Sequence, residues 1–245
     1  MIVYVFFALV AGSVGSVALA GLLLLVKKDT LEKISTILLY LAGGTLLGAA
    51  FLGMLPKALL LMDIQKVLSI VMFGILFFFI LEKFILWRTC HLEGCERHIK
   101  AVAPMILIGD AFHNAIDGII IATSFLTSIE LGIFVTFSVI FHEIPQELAD
   151  FGLLLKSGLS HRKALIYNML SGSSAIFTGI LAYYFFENMQ SLIPYALAFS
   201  ASSFFYIALA DLIPEMHKKT NIKESLLQIV LIITGVAIIY LIKKI

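Results

Sequence analysis

Eight long apolar runs constrain this chain more than any other feature of it. They lie at roughly 2–26, 34–55, 66–86, 101–127, 130–155, 162–185, 192–214 and 224–243. A helix needs about 20 apolar residues to cross the hydrocarbon of a bilayer, and in lipid the backbone must satisfy its own hydrogen bonds. Charged residues are 13% of the chain, against about 25% in a soluble domain, and most fall between the runs. The expected fold is an all-α integral membrane protein of eight transmembrane helices. It forms one domain over 1–245, with short connections of which 87–100 is the longest.

Lysine and arginine orient such a chain, because basic residues concentrate on the cytoplasmic side. With the N-terminus outside, the inner connections hold Lys27, Lys28 and Lys33; Lys83, Arg88, Arg97 and Lys100; Lys156, Arg162 and Lys163; and Lys218, Lys219 and Lys223. Those are 13 of the 17 basic residues; only Lys57, Lys66, Lys243 and Lys244 fall outside. Both termini are therefore expected on the extracytoplasmic side, most simply at the plasma membrane. The first run is too long, and lacks the basic start, for a cleaved signal peptide. A net charge of +1 excludes nucleic acid as a partner. Two cysteines in one polar connection are no disulfide framework.

The fourth and fifth runs carry polarity that lipid does not tolerate without a reason. In the fourth, Asp110, His113, Asn114 and Asp117 follow i, i+3, i+4, i+7 spacing and form one stripe. In the fifth, Glu143, Gln146, Glu147 and Asp150 share a face, and His142 and Gln146 lie a turn apart. Each mid-membrane carboxylate costs on the order of 2.5–3.5 kcal/mol, and five in two helices cost roughly 10 kcal/mol even with only some near the midplane. No lysine or arginine lies inside either run, so protons, water or a bound metal must neutralise them. Imidazole nitrogen mixed with carboxylate and amide oxygen suits Zn²⁺, Fe²⁺ or Mn²⁺, and no thiolate is present to select Cu(I). Pro145 falls inside the fifth stripe, where a proline frees a carbonyl and kinks a helix.

Weak internal symmetry accompanies the stripes. His113-Asn114-x-x-Asp117 matches His142-Glu143-x-x-Gln146 at an offset of 29. Gly43-Gly44 leading to Met54-Leu55-Pro56 matches Ala201-Ser202 leading to Leu212-Ile213-Pro214 at an offset of 158. In the expected topology the paired segments run in opposite directions, as in the inverted repeats that build a midplane site.

These residues resemble the ZIP (Zrt/Irt-like) family of divalent metal transporters. His113-Asn114-Ala115-Ile116-Asp117-Gly118 matches that family's fourth-helix pattern HNxxDG. His142-Glu143-Ile144-Pro145-Gln146-Glu147-Leu148-Ala149-Asp150 is similar to the HExPHExGD pattern of one subgroup. The likeness continues through Phe151–Gly158 and Tyr167–Gly172, and eight spans with outside termini fit it too. The resemblance implies two neighbouring metal positions between helices 4 and 5. One is matched by His113, Asp117, His142 and Gln146, the other by Asn114, Asp117, Glu143 and Gln146. Asp110, Glu147 and Asp150 are further candidates on the same faces. Two departures stand out. Gln146 replaces a histidine of the subgroup, and Gly53-Met54-Leu55-Pro56-Lys57 lacks the His and Glu of the family's second-helix pattern HLLPE, although Asp211-Leu212-Ile213-Pro214-Glu215 keeps acids in the seventh.

The connection after the third run offers Cys90, His91, Cys95 and His98, enough sulfur and nitrogen for one tetrahedral metal. His161 and His217, beside basic residues, read as membrane-interface groups. The expectation is a transporter that moves divalent cations into the cytoplasm, Zn²⁺ first and Fe²⁺, Mn²⁺ or Cd²⁺ after it. The metal is substrate and no cofactor is implied; the partners are the metal ions and the bilayer, with a homodimer allowed. Two alternatives use the same ligands. One is an intramembrane hydrolase with Glu143 as base, since His142-Glu143-x-x-Gln146 is similar to HExxH without its second histidine. The other is a metal sensor without flux.

Overall fold

The computed structural model describes residues 1–90, 98–218 and 221–242, and helices account for nearly all of them. In chain order they are α1 (Ile2–Leu23), α2 (Lys28–Leu61), α3 (Ile64–Cys90), α4 (His98–Thr127), α5 (Ile129–Lys156), α6 (His161–Asn188), α7 (Gln190–His217) and α8 (Ile222–Ile242). Ser128 and Ser160 start α5 and α6, their hydroxyls accepting from the N–H groups of Leu131 and Lys163. Each covers one of the donors that a helix start leaves unpaired.

Among the described residues, seven of these helices are long and apolar enough to cross a membrane: all but α5. That helix has the length, 28 residues, but His142, Glu143, Gln146, Glu147 and Asp150 lower its hydropathy. It runs unbroken through Pro145, which removes the N–H that would otherwise bond the Phe141 carbonyl.

The second and seventh helices run further than their prolines suggest. The apolar runs end at 55 and 214, yet α2 reaches Leu61 and α7 reaches His217. In each, a wider π-type turn precedes the proline: Ala49–Met54 before Pro56, and Ile207–Leu212 before Pro214. The ring meets hydrogen bonding that is already displaced by a residue, so the helix continues past it. Ala11–Gly15 in α1 is a third such turn.

Close contacts at small residues lock the helices in pairs, as expected where van der Waals packing drives association in lipid. Gly118 of α4 lies against the Ala175 carbonyl of α6 so tightly that no Cβ fits. Ser174 and Thr178 of α6 reinforce that seam, donating to the Ala111 and Ala115 carbonyls at 2.7 Å each. Gly44 of α2 meets the Ile232 carbonyl of α8, and Gly74 of α3 meets Ser202 of α7 in the same manner. α5 stands in the middle, packed by α1, α2, α4 and α6.

The bundle has two unlike ends. The end holding Ser128 is filled by one large apolar cluster. Leu46, Met54, Ile121, Phe125, Leu131, Phe134, Val135 and Phe204 belong to it, all buried. At the opposite end, where Ser157 joins α5 to α6, the buried apolar cluster is small: Ala103, Phe151, Leu154 and Ala164. Between them lies a buried polar layer.

Candidate metal centre

Two helices place the central group by simple periodicity. His113 and Asp117 stand one turn apart on α4, and His142 and Glu143 project from α5 at the same level. His142 Nε2 lies 3.2 Å from Asp117 Oδ2 and 3.7 Å from Glu143 Oε1. His113 Nε2 lies 3.3 Å from Glu143 Oε1, 3.7 Å from Asp117 Oδ2 and 3.3 Å from His142 Nε2. Five of the six edges of this four-atom figure thus measure 3.2–3.7 Å. Zinc held at 2.0–2.2 Å by four tetrahedral ligands has ligand–ligand edges of about 3.3–3.6 Å. Residue choice and spacing agree with that polyhedron.

The backbone sets the protonation of one imidazole. His142 Nδ1 is 2.9 Å from the Ser138 carbonyl, which can only accept. Nδ1 therefore donates to that carbonyl and leaves Nε2 as the nitrogen that faces the other three atoms, the arrangement a metal-binding histidine needs. Asp117 Oδ1 and Glu143 Oε2 receive no hydrogen bond although buried, while Glu143 Oε1 faces the His113 imidazole. Buried carboxylate oxygens without donors are costly, and a cation is the direct remedy.

A second group adjoins the first through Glu143. Oxygens of Asp110, Glu143 and Glu147 come within 4.8 Å of one another. Asn114 Nδ2 donates to Asp110 Oδ1 at 2.9 Å, and the Ser171 hydroxyl of α6 donates to Asp110 Oδ2. Asn168, also on α6 and fully buried, donates through Nδ2 to Glu147 Oε2 at 2.8 Å. Asp150 lies half-buried a turn beyond Glu147. Sequence reasoning missed Asn168 and Ser171. Their signal was two polar residues at i, i+3 in a span, inside the Tyr167–Gly172 stretch already marked by resemblance.

Access is one-sided. The side chain of His142 is 1% exposed, that of His113 23%. His113 and Gln146 edge a cavity of about 260 Å³, whose far wall includes Glu82 of α3 and Tyr206 and Asp211 of α7. Tyr206 donates to Glu82 across it. Glu215, the other acid foreseen in α7, is exposed and pairs with Lys218 at 2.5 Å. Of the connection after α3, Cys90 ends α3 and His98 begins α4, whereas His91 and Cys95 lie outside the described residues.

The ZIP zinc transporter family model matches residues 88–243. The chain belongs to that family. It is an integral membrane protein, similar to zinc transporter foi of Drosophila melanogaster, 39% identical over 59% of this chain and 20% of that protein. It is also similar to zinc transporter ZIP10 of Danio rerio, 34% identical over 61% of this chain and 18% of that protein. A third relative is zinc transporter zipt-7.2 of Caenorhabditis elegans, 33% identical over 60% of this chain and 33% of that protein. The matched part of the chain thus spans a third or less of the length of these relatives.

Proposed function

We propose that this protein carries divalent metal ions, zinc before iron, manganese or cadmium, across the plasma membrane into the cytoplasm. The observation that carries the reading is the four-atom figure of His113, Asp117, His142 and Glu143, whose edges match a tetrahedral zinc shell. The names of its relatives support the same cargo. Gln146 stands on the cavity wall beside His113, placed to receive an ion leaving the figure. An amide oxygen holds zinc less firmly than imidazole does, which favours release over storage.

In this reading α5 is the eighth span, the whole of 1–245 is one transport domain, and both termini face outside. α3 and α7 then run inward, so Glu82 and Asp211 lie on the cytoplasmic side of the figure, and the apolar cluster closes the outer side. With that orientation the cavity lies on the inner side of the figure. An inverted repeat fits as well. The π turns of α2 and α7 begin at 49 and 207 and end at 54 and 212, each pair 158 apart, the offset of the sequence repeat. The starts of α3 and α8, at 64 and 222, keep the same offset. Family membership favours transport over the hydrolase and sensor alternatives.

Purified protein in liposomes loaded with a zinc-sensitive dye tests this. Wild type is expected to admit Zn²⁺, and His113→Ala combined with His142→Ala to reduce influx to the level of empty liposomes. Equal influx through both proteins sinks the proposal.

A further inference from the structure

The lower group deserves a role of its own, because its chemistry differs from that of the zinc-shaped figure. Asp110, Glu143 and Glu147 offer oxygen alone, with no imidazole or thiolate among them. Each is at most 4% exposed, and among the described residues no lysine or arginine pairs with any of them. Like charges gathered this closely in a buried site repel one another unless a cation or protons neutralise them. Hydrogen bonds from Ser171, Asn114 and Asn168 fix two of the carboxylates in place.

A second observation points to an occupant. Asn168 is fully buried and turns its Nδ2 to Glu147 Oε2, while its own Oδ1 has no partner. Glu147 Oε1 and Glu143 Oε2 are likewise unpartnered, while Glu143 Oε1 faces His113. Three buried oxygens, one each on Glu143, Glu147 and Asn168, thus lack donors, and Asn168 is tied to the group through its bond to Glu147. If the amide served only to quiet the carboxylates, its oxygen would still need a donor of its own, and none is there.

We propose that Asp110, Glu143, Glu147 and Asn168 form a separate cation position that takes a hard divalent ion, Mn²⁺ in preference to Zn²⁺, through oxygen alone. The position rests on the reading of the upper figure as a metal path, with which it shares Glu143. It is not the neighbouring position that the family resemblance implies, since it draws Asn168 from α6 and Glu147 in place of Gln146, which borders the cavity instead. Oxygens all within 4.8 Å of one another can share one ion at metal–oxygen bonds of about 2.0–2.6 Å. Carboxylate and carbonyl ligands suit manganese, whereas imidazole suits zinc. Two metals of unlike preference can then sit one turn apart, with Glu143 common to both.

The test uses full-length protein in lipid nanodiscs, with Mn²⁺ followed by electron paramagnetic resonance and Zn²⁺ by calorimetry. Wild type is expected to bind both at once. Glu147→Gln is expected to weaken Mn²⁺ by about tenfold or more while Zn²⁺ holds within about threefold, and His113→Ala with His142→Ala to do the reverse. Mn²⁺ binding unmoved by Glu147→Gln, or both metals weakened together in protein that still elutes as wild type, overturns the proposal. Asn168→Asp guards against a folding artefact. At a cation position the added carboxylate makes Mn²⁺ raise the melting temperature more than in wild type, whereas in a hydrogen-bonded cluster Mn²⁺ leaves it unchanged. Zinc influx into liposomes is read separately: Mn²⁺ bound at Glu147 without influx refutes transport alone, and influx with no Mn²⁺ bound refutes this position alone.

Discussion

The two halves of α5 lie in opposite surroundings. From Leu131 to Val139 its inward residues are sealed in the apolar cluster with Phe125, Leu46 and Phe204. From His142 to Asp150 it carries every ionisable group of its membrane-embedded stretch and lies near a cavity walled by Glu82, Tyr206 and Asp211. The same helix therefore acts as a plug at one end and as a ligand ladder at the other. A metal group at the boundary meets close packing on one side and space for water on the other. In the proposed reading that difference, rather than the metal ligands alone, sets the direction of transport.

Thiol labelling gives the largest contrast. With Cys90 and Cys95 replaced by serine, Val135→Cys in the plug is expected to stay unlabelled by a charged maleimide, while Asp211→Cys, exposed on the cavity wall, labels fully. Equal labelling would erase the distinction between the halves. Glycines on α5 read it on a finer scale. A Cβ at Gly132 would overlap the Phe125 ring, whereas one at Gly152 meets nothing within 4 Å. Gly132→Ala is expected to destabilise by about 1–3 kcal/mol through overpacking. Gly152→Ala is expected to stabilise by about 0.5–1 kcal/mol through helix propensity. Thermal unfolding in detergent compares them, and a shift of the same sign in both breaks the comparison. Smallest is Tyr206→Phe, which removes only the hydroxyl that bridges α7 to Glu82 of α3. A loss of about 1 kcal/mol in stability is expected, with labelling at Asp211→Cys retained; loss of labelling would mean that Tyr206 holds the cavity open.

Much of this was readable in the residues, for a physical reason. Intramembrane polarity is rare enough that His113, Asp117, His142 and Glu143 announced themselves, and helical periodicity alone put them on facing stripes. The ends of α2 and α7 misled, because Pro56 and Pro214 look like stops unless the preceding π turn is known, and that turn depends on packing as much as on local composition. Asn168 and Ser171 were hidden for another reason. One buried amide and one hydroxyl carry little hydropathic signal, and their meaning comes from α6 lying against α4 at Gly118, a tertiary fact. In the proposed eight-span reading, the polar residues of α5 disguise it as something other than a span.

That disguise bears on how the protein is made. A nascent helix ordinarily enters the bilayer by partitioning on its own hydropathy, and α5 is the one least suited to do so. Its neighbours α1, α2 and α4 are synthesised before it, but the amide that answers Glu147 belongs to α6 and emerges after it. In the eight-span reading the residence of α5 in lipid is thus a late event of assembly, completed when its partners close around it. A truncation after Lys156 is a chain whose ligand helix has no settled home.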